Sequence, residues 1–136
     1  MDTNVTLLRI VLADDHEDFR RALCSFLKMQ EGIEVIGEAV DGDDAVVQTE
    51  CNQPDLVLMD LEMPKRDGFE ATREIKRRWP KIRVVVLSAH SAEVYRCAAN
   101  DYLADGFIDK NSMKHALLAV IVDERARRFN VTANAA

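Results

Sequence analysis

Five side chains capable of chemistry stand just behind short apolar runs. Asp14 and Asp15 follow residues 10–13 (IVLA), Asp60 follows 56–59 (LVLM), Ser88 follows 84–87 (VVVL), and Lys110 comes shortly after Gly106, Phe107 and Ile108. Carboxylates brought together repel one another, so such a site must bind a cation or keep a proton. Oxygen donors with no Cys or His cluster beside them point to Mg2+, which takes few protein ligands and keeps several waters. That ion, a lysine and a small hydroxyl in one cleft are equipment for phosphoryl transfer, because they neutralise equatorial oxygens while an in-line nucleophile attacks. A carboxylate can be that nucleophile and form an acyl phosphate.

Each residue also has a plainer use. Asp15 or Asp18 suits the N-cap of a first helix. Ser88 suits a cap for the helix after it, and Lys110 a solvated surface charge. Convergence at four different strand ends favours the chemical reading over all these separate ones.

The elements that must bring them together are legible. The three runs above are short and rich in β-branched residues, which favours strands. They do not alternate with polar residues, so both faces are covered, as in a parallel sheet. Weaker strands are expected over residues 33–40 and 106–108. Between them lie apolar stripes at helical spacing: Phe19, Ala22, Leu23, Phe26 and Leu27; Ala45, Val46 and Thr49 within 43–52; Phe69, Thr72, Ile75 and Trp79; Val94, Cys97 and Ala98; and Met113, Leu117, Val120, Ile121 and Glu124. Pro54 and Pro80 stop the second and third. Five β-α units in a row give a doubly wound α/β layer sandwich, whose working site lies at the carboxyl ends of the strands.

Composition narrows the remaining classes. The 136 residues make one domain, able to bury roughly two-thirds of its unfolded surface. With 48% hydrophobic and 31% charged residues the chain is not disordered. A net charge of −6 argues against a nucleic-acid coat. The longest apolar run, 116–122, is far short of the ~18 residues of a spanning helix. No secretory signal or anchor is readable at the N-terminus, so a cytoplasmic protein is expected. Cys24, Cys51 and Cys97 lack metal-type spacing and are expected as reduced thiols in helices, where a lone thiol is usually buried.

The segments LADDHED (12–18), LVLMDLEMPKRDGFE (56–70), VVVLSAH (84–90) and DGFIDK (105–110) resemble the receiver domain of bacterial two-component response regulators. DDHEDFRRAL and GIEVIGEAVDGDDAV are most similar to receivers of LuxR-type (NarL/FixJ-like) regulators. The resemblance covers residues 8–110 and continues through the last helix to about Arg128, giving a receiver domain over 1–128 and a tail over 129–136. It implies the flavodoxin-like fold, a five-stranded parallel sheet in the order 2-1-3-4-5 with five helices. It implies Asp60 as phospho-acceptor, Asp15 as direct Mg2+ ligand, Asp14 acting partly through metal-bound water, and the backbone carbonyl of Glu62 completing the coordination. Lys110 would hold a phosphate oxygen, Ser88 would supply the hydroxyl that moves to the phosphate, and Phe107 would be the switch aromatic. Met63, Pro64 and Gly68 match the loop after the acceptor, and Glu62 and His90 occupy the positions that tune dephosphorylation.

Departures from the family pattern are specific. Phe107 lacks a tyrosine's hydroxyl, Asn111 stands where proline is common after the lysine, leaving a cis or trans Lys110–Asn111 bond open, and Leu103 stands where many relatives have glycine. No catalytic group is missing, so a degenerate receiver fits poorly.

The resemblance implies a switch, not a conventional enzyme: it takes phosphate from a histidine kinase or phosphotransfer protein and promotes its own phosphorylation and dephosphorylation. Its readout would be the face made by the fourth helix, fifth strand and fifth helix. Residues 116–122 are apolar all round, which leaves Leu118 and Val122 either for a homodimer seam or tucked under the sheet edge. Phosphorylation-linked dimerisation is expected. Arg125, Arg127 and Arg128 suit the dipole of a helix's last turn better than a nucleic acid. No DNA-binding domain fits after Lys110 in 136 residues, so the chain reads as a stand-alone receiver or the first domain of a larger regulator. An aspartyl-phosphate hydrolase would have a second aspartate at position 62 and a cap insertion. A flavin carrier would be repelled by the acidic loop 14–18.

Overall fold

The computed structural model describes residues 7–63, 65–89 and 93–129, the side chains of 93–96 excepted. Chain order is β1 (Leu8–Ala13), α1 (Glu17–Lys28), β2 (Ile33–Ala39), α2 (Gly42–Asn52), β3 (Leu56–Asp60), α3 (Gly68–Arg78), β4 (Arg83–Ser88), α4 (Glu93–Asp101), β5 (Gly106–Asp109), a 3-10 turn (Lys110–Ser112) and α5 (Met113–Phe129). The strands are parallel in the order β2-β1-β3-β4-β5. This is the flavodoxin-like fold that the sequence implies.

The absence of alternation in the strands has the anticipated cause. In β3, Leu56 and Leu58 face α1 and α5, packing with Leu23, Leu27, Leu117 and Ile121. Val57 and Met59 face the other way, among Ala45, Ala71, Ile75 and Ala99 of α2, α3 and α4. Both faces are thus sealed from water, which only a doubly wound layer arrangement allows for this sheet.

Helix ends follow local chemistry. Asp41 and Asp67 cap α2 and α3, accepting from the backbone N–H of Asp44 and Glu70 at 2.7 and 2.9 Å. Neither Asp15 nor Asp18 caps α1, the plainer use their types allowed. The N-cap is His16, and its side chain makes no cap bond. Ser88 does not cap α4 either, since it is the last residue of β4 and α4 begins at Glu93.

Beneath the sheet, at the strand N-termini, ion pairs fix α5. Buried Glu124 accepts from Arg83 at 2.7 Å and lies 3.3 Å from Arg128, whose guanidinium also donates to the carbonyls of Asp55 and Lys81. Arg128 is therefore a structural clamp.

Candidate functional site

The strand ends converge as the sequence suggests. Asp60 closes β3 and is only 1% exposed, and Asp14, the first residue past β1, is 2% exposed. Register explains the placement. Ala13 pairs with Met59 and Asp60 with Leu87, so Asp14, Asp60 and Ser88 end three adjacent strands on one rim. Ser88 is fully buried there. Each side chain is delivered by a strand whose preceding residues are locked in the core.

Lys110 reaches in from the turn after β5. Its ammonium lies 3.0 Å from Asp14 Oδ2 and 3.0 Å from Asp60 Oδ1. It also stands 4.2 Å from the centre of the Phe19 ring on α1, a cation–π contact that limits its wandering. The turn is held by Asp109, which accepts from the Asn111 N–H at 2.9 Å, while the Asn111 amide donates to the carbonyl of Ala89 at 3.4 Å. No cis peptide bond occurs among the described residues. Lys110 is therefore not a solvated surface charge but a largely buried partner of two carboxylates.

The electrostatics are those of a site short of positive charge. Burial, then the negative charge of Asp14, pushes the Asp60 carboxyl up to about 6, against the opposing pull of Lys110 and a backbone hydrogen bond from Glu62. Burial acts to lower the Lys110 ammonium, but its hydrogen bonds to Asp14 and Asp60 and their charges outweigh this and raise it. Both Asp60 oxygens are buried, and Lys110, 3.0 Å from Oδ1, and the Glu62 backbone leave part of their accepting capacity unused.

These residues fit a divalent cation. Asp14, Asp15, His16 and Asp60 each offer a ligand atom, all within 4.8 Å of one another, and the under-satisfied Asp60 oxygens are among them. His16 is an unanticipated member, since an oxygen-only group was expected. Its Nδ1 lies 3.3 Å from oxygens of both Asp14 and Asp15. Arg20 was also missed. It donates to the carbonyl of Asp14 at 2.8 Å and to Glu38 at 2.9 Å, bracing the loop after β1. His16 adjoins the aspartates in sequence and Phe19 lies on the α1 stripe, but their approach to the site depends on how α1 leaves the loop.

Other anticipated residues lie nearby. The Glu62 side chain is exposed two residues beyond the acceptor. Phe107 lies in β5, half-buried against the core on the α2–α4 side of the sheet. Leu118 and Val122 are 36% and 43% exposed on α5, so they are not tucked under the sheet edge. His90 and Pro64 lie outside the described residues. None of the three cysteines is in a disulfide, and only Cys24 is buried; Cys51 and Cys97 are exposed, contrary to the usual burial of a lone thiol. No described helix is long and apolar enough to cross a membrane.

A parallel sheet carrying a buried carboxylate, two further aspartates and a lysine on its carboxyl rim defines a receiver-type signalling domain. The response regulator receiver domain model matches residues 10–122, and the chain belongs to that family. It is 37% identical over 118 residues to the transcriptional regulatory protein DegU of Brevibacillus brevis, covering 87% of this chain and 50% of that protein. It is 44% identical over 107 residues to the response regulator protein VraR of Staphylococcus epidermidis, covering 77% and 50%. The chain thus spans half the length of these relatives. A LuxR-family two-component response regulator from Aurantimonas sp. SI85-9A1 superposes with a TM-score of 0.81 at 30% identity, covering 90% of this chain and 89% of that one. The receiver is of the LuxR-regulator type.

Proposed function

We propose that this chain is a phosphorylation switch that accepts a phosphoryl group on Asp60 from the phosphohistidine of a sensor histidine kinase or phosphotransfer protein. One observation carries the reading: the carboxylate ending β3 is buried, under-satisfied, and 3.0 Å from the only cation reaching it among the described residues. An Asp60 oxygen attacks phosphorus, the P–N bond breaks, and the departing imidazole keeps the electron pair and takes a proton. Lys110 holds a phosphoryl oxygen, and the Ser88 hydroxyl moves toward the new phosphate as Phe107 turns inward. Asp14, Asp15, Asp60 and the carbonyl of Glu62 would hold Mg2+. When bound, Mg2+ offsets the charge that builds on the phosphoryl oxygens.

The protein promotes its own phosphorylation and dephosphorylation and is not a conventional enzyme. Glu62 and His90 tune the loss of phosphate. It works in the cytoplasm, and any DNA binding in a longer regulator belongs to a separate domain. Exposed Leu118 and Val122 favour a homodimer through the α4-β5-α5 face, linked to phosphorylation. Light scattering that finds a monomer both with and without beryllofluoride would remove that part.

Incubation with Mg2+ and acetyl phosphate or phosphoramidate, followed by intact mass, tests the central claim. A single added phosphate on wild type and none on Asp60→Asn is expected. An unmodified wild type, or equal labelling of Asp60→Asn, overturns it.

A further inference from the structure

We propose that Phe19 is a positioning residue for phosphoryl transfer: the face of its ring holds the Lys110 ammonium between Asp14 and Asp60 and lets it slide toward an arriving phosphoryl group. The inference rests on the reading of Asp60 as phospho-acceptor and adds to it an aromatic partner for the lysine.

The donors of the lysine can be counted. An ammonium carries three N–H donors and no acceptor. Two carboxylates take their share, Asp14 Oδ2 at 3.0 Å and Asp60 Oδ1 at 3.0 Å. The centre of the Phe19 ring lies 4.2 Å from the same nitrogen, well inside the roughly 6 Å over which a ring face attracts a cation. The Lys110 side chain is only 14% exposed, so the ring stands where a solvating partner would otherwise be needed.

The fold fixes the ring. Phe19 is the third residue of α1 and packs with Leu23, Met113 and Leu117 in the crevice between α1 and α5. Its neighbour Arg20 ties that first turn to the carbonyl of Asp14 at 2.8 Å and to Glu38 at 2.9 Å. The turn that carries the ring is thus fastened to the residue that shares the lysine. Further along α1, Phe26 faces Lys114 at 5.8 Å, a longer contact to a lysine that pairs with neither Asp14 nor Asp60.

A ring suits this place better than a charged partner. A third carboxylate would divide the ammonium's charge further and anchor it. The ring is neutral, and its attraction comes from the quadrupole of the whole face, so it changes little as the cation slides across it. During transfer an Asp60 oxygen bonds to phosphorus, and Lys110 must exchange part of its contact with Oδ1 for a phosphoryl oxygen. A partner that holds the ammonium without fixing its direction keeps it within reach of both.

The full chain is phosphorylated with Mg2+ and phosphoramidate, and initial rates are read by intact mass. In that reaction the Asp60–phosphorus bond forms, the P–N bond breaks, and ammonia leaves with the electron pair of the broken bond. Phe19→Leu should slow labelling about tenfold, whereas Phe26→Leu, which removes the same ring elsewhere on α1, should stay within about twofold of wild type. Phe19 is then replaced by phenylalanines bearing one, two or three fluorines, which drain the ring face of negative potential and nearly keep its shape. The rate should fall stepwise with fluorine number. Nuclear magnetic resonance gives a second readout: the Lys110 ε-methylene protons, shifted upfield by the ring in wild type, should move downfield in Phe19→Leu. The fluorinated set guards against a folding failure of Phe19→Leu. A rate independent of fluorine number, or an equal loss in Phe26→Leu, reduces the ring to a spacer and overturns the proposal while the acceptor reading stands. A wild type that takes no phosphate removes both.

Discussion

The ammonium of Lys110 lies 3.0 Å from Oδ1 of Asp60, yet it does not offset the burial of that carboxyl. The reason is division of labour. The same ammonium serves Asp14 at an equal distance, so one positive charge faces two buried carboxylates. The folded protein therefore holds an excess of negative charge at the strand ends, and this excess has measurable consequences.

The first concerns stability against pH. The Asp60 carboxyl is raised from 3.8 to about 6 in the folded state, so between those values the native protein binds more protons than the unfolded chain. Stability then falls as pH rises through about 6 and stays reduced above it. The difference corresponds to roughly 2–3 kcal/mol when Asp60 is fully ionised. Asp60→Asn removes that charge and weakens one partner of Lys110, so in chelator at pH 8 it should be more stable than wild type by about 1–2 kcal/mol. The gain should shrink as the pH is lowered toward 4. Urea unfolding of both proteins at the two pH values checks this, and an equal gap at both would contradict it.

A divalent cation should reverse the penalty. An ion that binds only the folded protein stabilises it by about 2.7 kcal/mol at a hundred times its dissociation constant. Calorimetry of wild type at pH 8 should show the melting temperature rising with Mg2+ concentration. The rise should diminish below about pH 6, where Asp60 takes a proton and competes with the ion. Asp60→Asn should respond far less. An equal rise in the variant would place the cation elsewhere.

The helix after the acceptor supplies a third test. Gly68 is the first residue of α3, and its N–H donates to the carbonyl of Leu61 at 3.1 Å. A Cβ there would run into the carbonyl oxygen of Asp60 and come within 2.8 Å of the Leu61 Cα and 2.9 Å of the Asp60 carbonyl carbon. All three atoms are backbone and cannot rotate away. In an unhindered helix, Gly→Ala gains about 1 kcal/mol. At this position Gly68→Ala should instead cost about 1–3 kcal/mol, the usual range for overpacking. Because the displaced backbone carries Asp60, its phosphorylation by phosphoramidate should slow as well. A stabilised variant with unchanged phosphorylation would show that the loop yields freely.

Asp14, Asp60, Ser88 and Lys110 were legible in the sequence because buried parallel strands announce themselves as unbroken apolar runs. Whatever polar residue ends such a run must sit on the rim. The parts that were not legible depend on angles between elements. Nothing in the order of residues says that Phe19 passes beneath the Lys110 ammonium, or that His16 turns its ring back onto the aspartates. Both follow from the direction in which α1 leaves β1. Side-chain exposure on short helices was equally hidden: Cys51 on α2 and Cys97 on α4 are both exposed.

Leu103 joins a departure visible in the sequence to a cost visible in the backbone. It follows α4 with φ +74°, the left-handed region. The N–H of Ala104 bonds to the carbonyl of Ala99 at 3.0 Å, and that of Leu103 to the carbonyl of Asn100 at 2.9 Å. This pair of bonds is the Schellman pattern, whose left-handed position is usually glycine. A residue with a Cβ is penalised there by roughly 1–2 kcal/mol. The Leu103 side chain is exposed, so little packing offsets the strain. Leu103→Gly should therefore stabilise the protein, by about 0.5–1 kcal/mol once the greater freedom of glycine in the unfolded chain is counted. Leu103→Val, whose branched Cβ tolerates a positive φ less well, should destabilise it. Denaturant midpoints of the three proteins give the order directly. If wild type proves more stable than Leu103→Gly, the leucine must gain more from its contacts than its backbone loses.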